Sequence, residues 1–407
     1  MFVSLAVLFL AAAPGEATPV TFAQAVSLAG RTPGPESATR AAEVQRAGQA
    51  RLSAFVLNPQ VVVEPGYRQR QEERGADLRL GISQGFNLSG QVPARDQALR
   101  AEQTVLQAEA RAVLLTRQLV IAEAWLLLWA AEQAETQSAL EVTLAGSFQK
   151  AVEGASALGA ATKLELAEAS AYLAEARLTA LDAEGLVAER RVALTRVLGH
   201  SPASRPRAEG PLPEVTLPPD TAWDALVVQA SRLPEVAART FGAEAERARA
   251  AELHASRGNW LQVGLAGQRE YDGAAGGALT LTWTPPLFDR GGRERVALLA
   301  SAERQEGEAR EAGQASSAAL ALSFHEVVHA HEVLDALQGQ LLPATEEAAR
   351  LREFLFHSGE STVPEVVLAR RALASARIRL GHARARESLA RVRARFFIDA
   401  LSGVSAP

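Results

Sequence analysis

The sequence predicts a mainly α-helical chain with a small β part, built from long helical hairpins and four antiparallel strands. Three observations lead there. The chain is written twice, long stretches hold no helix breaker, and each copy carries two segments in which apolar and polar residues alternate.

The duplication comes first. Thr21-Phe22-Ala23-Gln24-Ala25, then Arg31-Thr32-Pro33, recurs as Ala222-Trp223-Asp224-Ala225-Leu226, then Arg232-Leu233-Pro234, a displacement of 201 positions from 33 to 234. At the same displacement Asn58-Pro59 falls on Asn259-Trp260, Gly90 on Gly291 and Glu102 on Glu303. Landmarks sharing one offset mark an internal repeat. The expected organisation is a signal peptide over 1–17, a first repeat over 18–205, a proline-rich connector over 206–219, a second repeat over 220–402 and a tail over 403–407.

Met1 to Ala13 form one apolar run ending in small residues, the core of a secretory signal and too short to span a bilayer as a helix. No Lys or Arg precedes it, which departs from that pattern. No later stretch approaches the ~20 apolar residues of a membrane helix. A membrane crossing would therefore be made with strands.

Each copy then reads in one order. A first helix is expected over 22–57 and again over 222–257, broken in the first copy around Arg31 to Pro35. After the strands, Ala94 to about Val152 contains no Pro and only Gly146, so at 1.5 Å per residue it makes a helix roughly 90 Å long. Leu99, Val105, Leu106, Val113, Leu114, Val120, Ile121, Trp125 and Leu128 recur at helical spacing with Ala between them, which suits contact with two neighbouring helices. The second long helix, Arg293 to about His357, bears Pro343, expected to kink it or break its hydrogen-bond ladder. A glycine turn and a returning helix of about 35 residues follow each.

The strands are expected over 59–70, 77–89, 260–271 and 278–286. Leu78, Leu80, Ile82, Phe86 and Leu88 alternate with Arg79, Gly81, Ser83 and Asn87, and Gln84 interrupts them. Leu279, Leu281 and Trp283 alternate with Thr280, Thr282 and Thr284; Leu261, Val263 and Leu265 alternate with Gln262, Gly264 and Ala266. Period two gives one apolar and one polar face. Strands of about ten residues suit a transmembrane barrel, apolar to lipid and polar to a watery lumen. Four strands cannot close a barrel, so their edges call for other copies of the chain.

Composition narrows the function classes. The hydrophobic 48% is largely alanine, aromatics are 5%, and net charge is −5 without a basic run, which argues against nucleic acid as a partner. There is no cysteine, which removes disulfides, thiolate metal sites and an acylated N-terminal Cys as a lipid anchor.

Together these features resemble the TolC family of outer-membrane efflux factors, over nearly all of the mature chain. Pro285-Pro286-Leu287-Phe288-Asp289-Arg290-Gly291-Gly292 resembles the family's strand-to-helix junction, and Gln84 to Gly90 is a weaker copy of it. Leu194 to Gly199 is similar to the ending of the family's first repeat. Gly359 to Ala369 looks like the glycine-led turn at the tip of its second helical hairpin.

The resemblance implies a homotrimer whose twelve strands form a shared barrel in outer-membrane lipid. The helices would form an α-barrel across the periplasm, closed at its tip until an inner-membrane transporter and a periplasmic adaptor protein dock. Such a duct is passive, is no enzyme and needs no cofactor. The resemblance puts an acidic gate ring at Glu365, six after Gly359, with Glu165 six after Gly159. Leu368 stands where a second acidic ring would be, and Ser361 where the family has a basic tip residue. Gathered carboxylates would raise one another's pKa and attract cations; a solvated residue at a helix N-terminus is the plainer account of Glu365. The turn glycines Gly159 and Gly359 are the expected adaptor contacts.

One motif points elsewhere. His325-Glu326-Val327-Val328-His329 matches H-E-x-x-H, which puts two imidazoles on one helix face beside a potential base. Glu332 stands where the metzincin extension needs Gly, and Glu346 and Glu347 lie far along the same helix. A solvated face is the expectation, with no resident metal, although His331 nearby allows a weak surface site. The alternatives to a channel are thus a periplasmic coiled-coil scaffold and, far behind it, a zinc peptidase.

Overall fold

The computed structural model describes residues 18–49, 57–70, 73–201, 203–270 and 272–403. The signal peptide expected over 1–17 and residues 404–407 of the tail lie outside that set. In chain order the elements are β1 (Thr18–Thr21), α1 (Phe22–Ser27), α2 (Pro33–Gln49), β2 (Gln60–Arg70), β3 (Glu73–Asn87), α3 (Gln91–Ala157), α4 (Lys163–Leu198), β4 (Pro206–Glu209), α5 (Trp223–Val228), α6 (Pro234–Ser256), β5 (Trp260–Arg269), β6 (Ala275–Thr284), α7 (Gly292–Ala336), α8 (Leu342–His357) and α9 (Val363–Ser402). Short 3₁₀ turns precede α2, α5 and α6, and a π-helical turn, Leu337–Leu341, joins α7 to α8.

Matched landmarks take matched conformations. Helices restart at Pro33 and Pro234, where proline's fixed φ suits a first helical position. Gly90 and Gly291, 201 positions apart, both hold positive φ (78° and 66°) just before α3 and α7. Gly159 and Gly359 do the same after the outgoing helices, at 76° and 78°.

Several expectations need correction. The interruption expected in the first helix is a 3₁₀ turn at Ala29–Arg31, but the second copy is split as well, at Gln229–Arg232, and the chain at Leu57 is not helical. The strands are shifted. β3 starts at Glu73, before the alternation begins, because polar residues close the hairpin: Arg70 pairs with Glu73 and Gln69 with Arg74. β6 likewise starts at Ala275 and ends at Thr284, where Pro285 and Pro286 cannot donate to a ladder. The connector is not featureless. Its first four residues, β4, pair in parallel with β1, from Thr18 opposite Pro206 to Thr21 opposite Glu209. Such short strands leave no periodicity to read. Lastly, α3 does hold an 18-residue window of mean hydropathy 1.5, contrary to the expectation that nothing after the leader approaches a membrane helix. Its large residues Ile121, Trp125, Leu126 and Leu128 are buried in a protein core.

The chain divides into two compact units, each drawing on both copies. One comprises Met1–Glu36, Val113–Ala230 and Ser316–Pro407. Within it α1, α3 and α4 bury Trp125, Leu128, Val187 and Leu194. Phe22 meets Trp125 edge-on at 5.4 Å, and Trp125 Nε1 donates to the Val20 carbonyl at 2.8 Å, fixing β1. In the second copy the aromatic pair returns exchanged, Trp223 stacking on Phe324 at 4.7 Å. A second cluster, with Phe148, Val152, Tyr172, Val363 and Val366, joins the two hairpin ends. Buried Glu132 accepts from Arg191 at 3.0 Å and from the Ala208 amide at 3.1 Å, tying β4 to α3 and α4; burial nonetheless raises its pKa. Pro343 acts as expected on the α7–α8 rod. A proline lacks the N–H and crowds the preceding turn, and the backbone answers with the wider π turn just before it.

The other unit, Ser37–Ala112 with Ser231–Ala315, holds the four-stranded sheet and the helix segments leading into it. Arg249 there pairs with Glu102 at 2.6 Å, and Arg247 with Glu306 at 2.5 Å.

Candidate functional site

The sheet is antiparallel throughout, in the order β2-β3-β5-β6, so β2 and β6 are its two edges. Directly opposed residues share a face. One row therefore runs Val61, Ile82, Leu265, Leu279 across all four strands, and the next runs Val63, Leu80, Gly267, Gly277. Further along, Phe86, Leu261 and Trp283 continue the same face, with Gln84 a polar interruption beside Val263 and Leu281, and Arg269 another opposite Leu78. Val61, Ile82, Leu265 and Leu279 are 71%, 53%, 63% and 67% exposed. A full row of aliphatic side chains more than half open to solvent has no place on a water-facing surface.

The opposite face is polar and crowded. Gln262 Nε2 donates to Ser83 Oγ at 2.8 Å and to Gln60 Oε1 at 3.2 Å, and Arg79 pairs with Glu64 at 3.5 Å. Thr280 and Thr282 line the same side of β6. A Cβ at Gly264 would fall 2.6 Å from Thr280 Oγ1 and 2.9 Å from Ser83 Cβ, whereas one at Gly267, on the apolar face, meets nothing nearer than 3.9 Å. The polar face is thus tightly filled around Gly264, while the apolar face is open beside Gly267, whose partner on β6 is Gly277.

Turns built on Asn87 and Asp289 lead from sheet to helix. The Asn87 carboxamide oxygen accepts from the Ser89 and Gln91 amides at 2.8 and 3.3 Å. The Asp289 carboxylate accepts from the Gly291 amide at 2.9 Å and pairs with Arg257 at 3.1 Å. Pro285 accepts from the Leu287 amide and Pro286 from Arg290, which tightens the turn and leaves Leu287 and Phe288 exposed. Gly90 and Gly291 supply the left-handed residue that opens each long helix.

The helical tip, in the other unit, is built twice on one plan. Ala160 donates its amide to the Ala155 carbonyl at 2.8 Å, and Glu360 to Leu355 at 2.8 Å, the six-to-one bond that ends a helix on a left-handed glycine. Three residues past Gly159 and Gly359 stand Thr162 and Thr362, and three further on Glu165 and Glu365. The Thr162 amide donates to Glu165 at 2.7 Å and the Thr362 amide to Glu365 at 3.0 Å. Both carboxylates thus close a capping box at a helix start. That box was legible as T-x-x-E in both copies and is missed by counting from glycine alone. Glu365 also accepts from the Ser361 hydroxyl at 2.8 Å and pairs with Arg352 at 3.2 Å.

The electrostatics follow. The Thr362 amide, then the Ser361 hydroxyl and the Arg352 guanidinium, hold the Glu365 carboxyl below the usual glutamate range. The Thr162 amide and hydroxyl do the same for Glu165. One chain therefore shows the opposite direction from that expected of carboxylates gathered on an axis. Leu368 is exposed on α9, and Ser361 is buried beneath the turn. Just behind, the Tyr172 hydroxyl donates to Glu141 and Arg371 pairs with Glu175, around an open cavity of about 280 Å³. Burial and the Glu141 carboxylate push the Tyr172 phenol well above its ordinary range.

The H-E-x-x-H segment of α7 exposes His325, Val328 and His329, while Glu326 is half-buried and Val327 is buried. Its Glu326 is taken by Arg393 at 2.8 Å, and His331 sits near Asp335 (3.5 Å) and Glu387 (3.9 Å). Among the described residues no three His, Asp or Glu side chains gather as a metal cage.

No family model matches this sequence, and no curated protein matches it. Solved structures do. The outer-membrane protein VceC of Vibrio cholerae superposes at TM-score 0.71 and 19% identity, covering 94% of this chain and 96% of that one. The chain has the TolC-type outer-membrane channel fold. The Campylobacter jejuni CmeC outer-membrane channel aligns at TM-score 0.70 and 15% identity, over 94% of this chain and 85% of that one. The Neisseria gonorrhoeae MtrE outer-membrane channel aligns at 0.69 and 16%, over 93% and 88%. The TolC-type fold runs nearly end to end here and survives where most residue identities have been replaced.

Proposed function

We propose that this chain is one subunit of an outer-membrane exit duct, a passive channel for substrates delivered by an inner-membrane transporter through a periplasmic adaptor. The observation that carries the reading is the one-sided sheet, with aliphatic rows outside, a crowded polar face inside and two unpaired edges. Lipid satisfies the first, water the second and sister subunits the third. Three copies give a homotrimer with a twelve-stranded barrel in outer-membrane lipid and an α-barrel of helical hairpins in the periplasm. Repeats over 18–205 and 220–402, joined by 206–219, supply matching halves of each subunit.

The two capped turns form the periplasmic tip. Glu365, backed by Glu165, lines the gate there, Leu368 and Ser361 stand beside it, and the turns at Gly159 and Gly359 meet the adaptor. The low pKa of Glu365 keeps it charged at neutral pH, which suits a cation-attracting ring. The solved channels of this fold, including the CmeC outer-membrane channel, support the outer-membrane assignment. The test is to purify the protein in detergent and add it to a planar lipid bilayer. Discrete conductance steps from a heat-modifiable trimer are expected; a detergent-independent monomer without conductance would overturn the reading in favour of a coiled-coil scaffold.

A further inference from the structure

We propose that His325 and His329 form a bidentate clamp on α7 for a late first-row divalent cation, with Cu²⁺ preferred over Ni²⁺ and Zn²⁺. Four residues apart on a helix, the two imidazoles share one face. Their rings are stacked, with centroids 6.2 Å apart and planes 8° from parallel. Both are exposed, and neither makes a hydrogen bond or ion pair among the described residues.

The spacing of the rings, though not their orientation, is near that of a bound state. With metal–nitrogen bonds of about 2.0 Å and a tetrahedral angle, two imidazole centroids come to roughly 5 Å apart. Closing the clamp therefore draws the rings slightly together and also turns them out of the stack until one nitrogen of each faces the ion, a rotamer adjustment open to exposed side chains. Neutral imidazole suits Cu²⁺, Ni²⁺ and Zn²⁺ rather than Ca²⁺ or Mg²⁺, and affinity should follow the usual order with copper highest.

The neighbours explain why this is a chelate and not a hydrolytic centre. Glu326, the carboxylate between the two histidines, is held by Arg393 at 2.8 Å. His331 belongs to a separate set with Asp335 and Glu387. Two protein nitrogens and solvent complete the coordination. Chelation clamps one helical turn.

The full-length protein, purified in detergent through a tag without histidine, is titrated with CuCl₂ and followed by calorimetry and electron paramagnetic resonance. One Cu²⁺ per chain with two coordinating nitrogens is expected. His325→Gln and His329→Gln should each weaken binding by about tenfold or more and leave one nitrogen, while His331→Gln leaves affinity unchanged. Circular dichroism of each variant checks that the helices are intact. The proposal is overturned if the double variant binds Cu²⁺ as the parent does, or if the loss follows His331→Gln instead.

Discussion

Placing an arginine at Leu265 should separate the two faces of the sheet most sharply. Leu265 is the sixth of ten residues in β5 and sits between Ile82 and Leu279 in the one row that is aliphatic on all four strands. Its side chain is 63% exposed, so an arginine there meets no steric obstacle within the chain, and any cost must come from the surroundings. In water that cost is near zero. At the middle of a bilayer it is about 2–4 kcal/mol, between roughly 25-fold and 700-fold in the folding equilibrium. The control is Thr282→Arg, opposite Gln262 on the polar face, expected to cost under about 1 kcal/mol and to alter ion selectivity instead. Both variants would be folded into lipid vesicles and unfolded with urea, with heat-modifiable mobility as the readout. Equal costs for the two substitutions, or a larger one for Thr282→Arg, would refute the assignment of faces.

Other expectations test the supporting structure. Gly291→Ala should lower stability by about 1–2 kcal/mol for the left-handed backbone alone, and by more than Gly90→Ala, because its Cβ would meet Arg257 Cγ at 3.2 Å while that of Gly90 meets nothing nearer than 3.9 Å; urea midpoints of the two decide it. Thr162→Ala removes the hydroxyl cap on the Glu165 amide and should cost about 1 kcal/mol locally, read as faster hydrogen exchange in the first turn of α4. The pKa of Glu165 is depressed, so its contribution is present above the ordinary glutamate value and lost as pH falls through the depressed one; exchange protection of that turn should drop as the pH falls below the ordinary glutamate range, with Glu365 and α9 behaving alike. Trp125→Phe gives up the bond to the Val20 carbonyl and some core volume, an expected loss of about 1–3 kcal/mol with β1 released to protease first.

Much of the fold was legible because its rules are periodic. Alternation in Leu279, Leu281 and Trp283 named the apolar face of the sheet, and the run without proline in α3 named a helix that proves to be 67 residues long. What could not be read depends on partners far away in sequence. The pairing of β3 with β5 joins the two copies, from Leu78 opposite Arg269 to Asn87 opposite Trp260, and no local pattern encodes it. Strands β1 and β4 are too short for periodicity, and the buried amide–carboxylate contact from Ala208 to Glu132 spans 76 positions. Pro343 announced a disturbance but not its π form. At the tip, counting from the glycines reaches Glu165 and Glu365 but passes over Thr162 and Thr362, which hold them, although the capping signature is present. The H-E-x-x-H match is silent for a similar reason on Arg393, which occupies the Glu326 carboxylate from 67 positions away.

The absence of cysteine opens a direct test of the shared barrel. Edges β2 and β6 are three strand spacings apart within one chain, about 14 Å, too far for a disulfide with Cα atoms about 4–7 Å apart. Chains carrying one cysteine at Val61, Val63 or Tyr67 and one at Leu279, Leu281 or Trp283 would be oxidised in outer-membrane preparations and run without reductant. Covalent dimers and closed trimers, restricted to a few matched pairs, are the predicted result. Monomers alone across every pair would contradict a barrel closed by sister subunits.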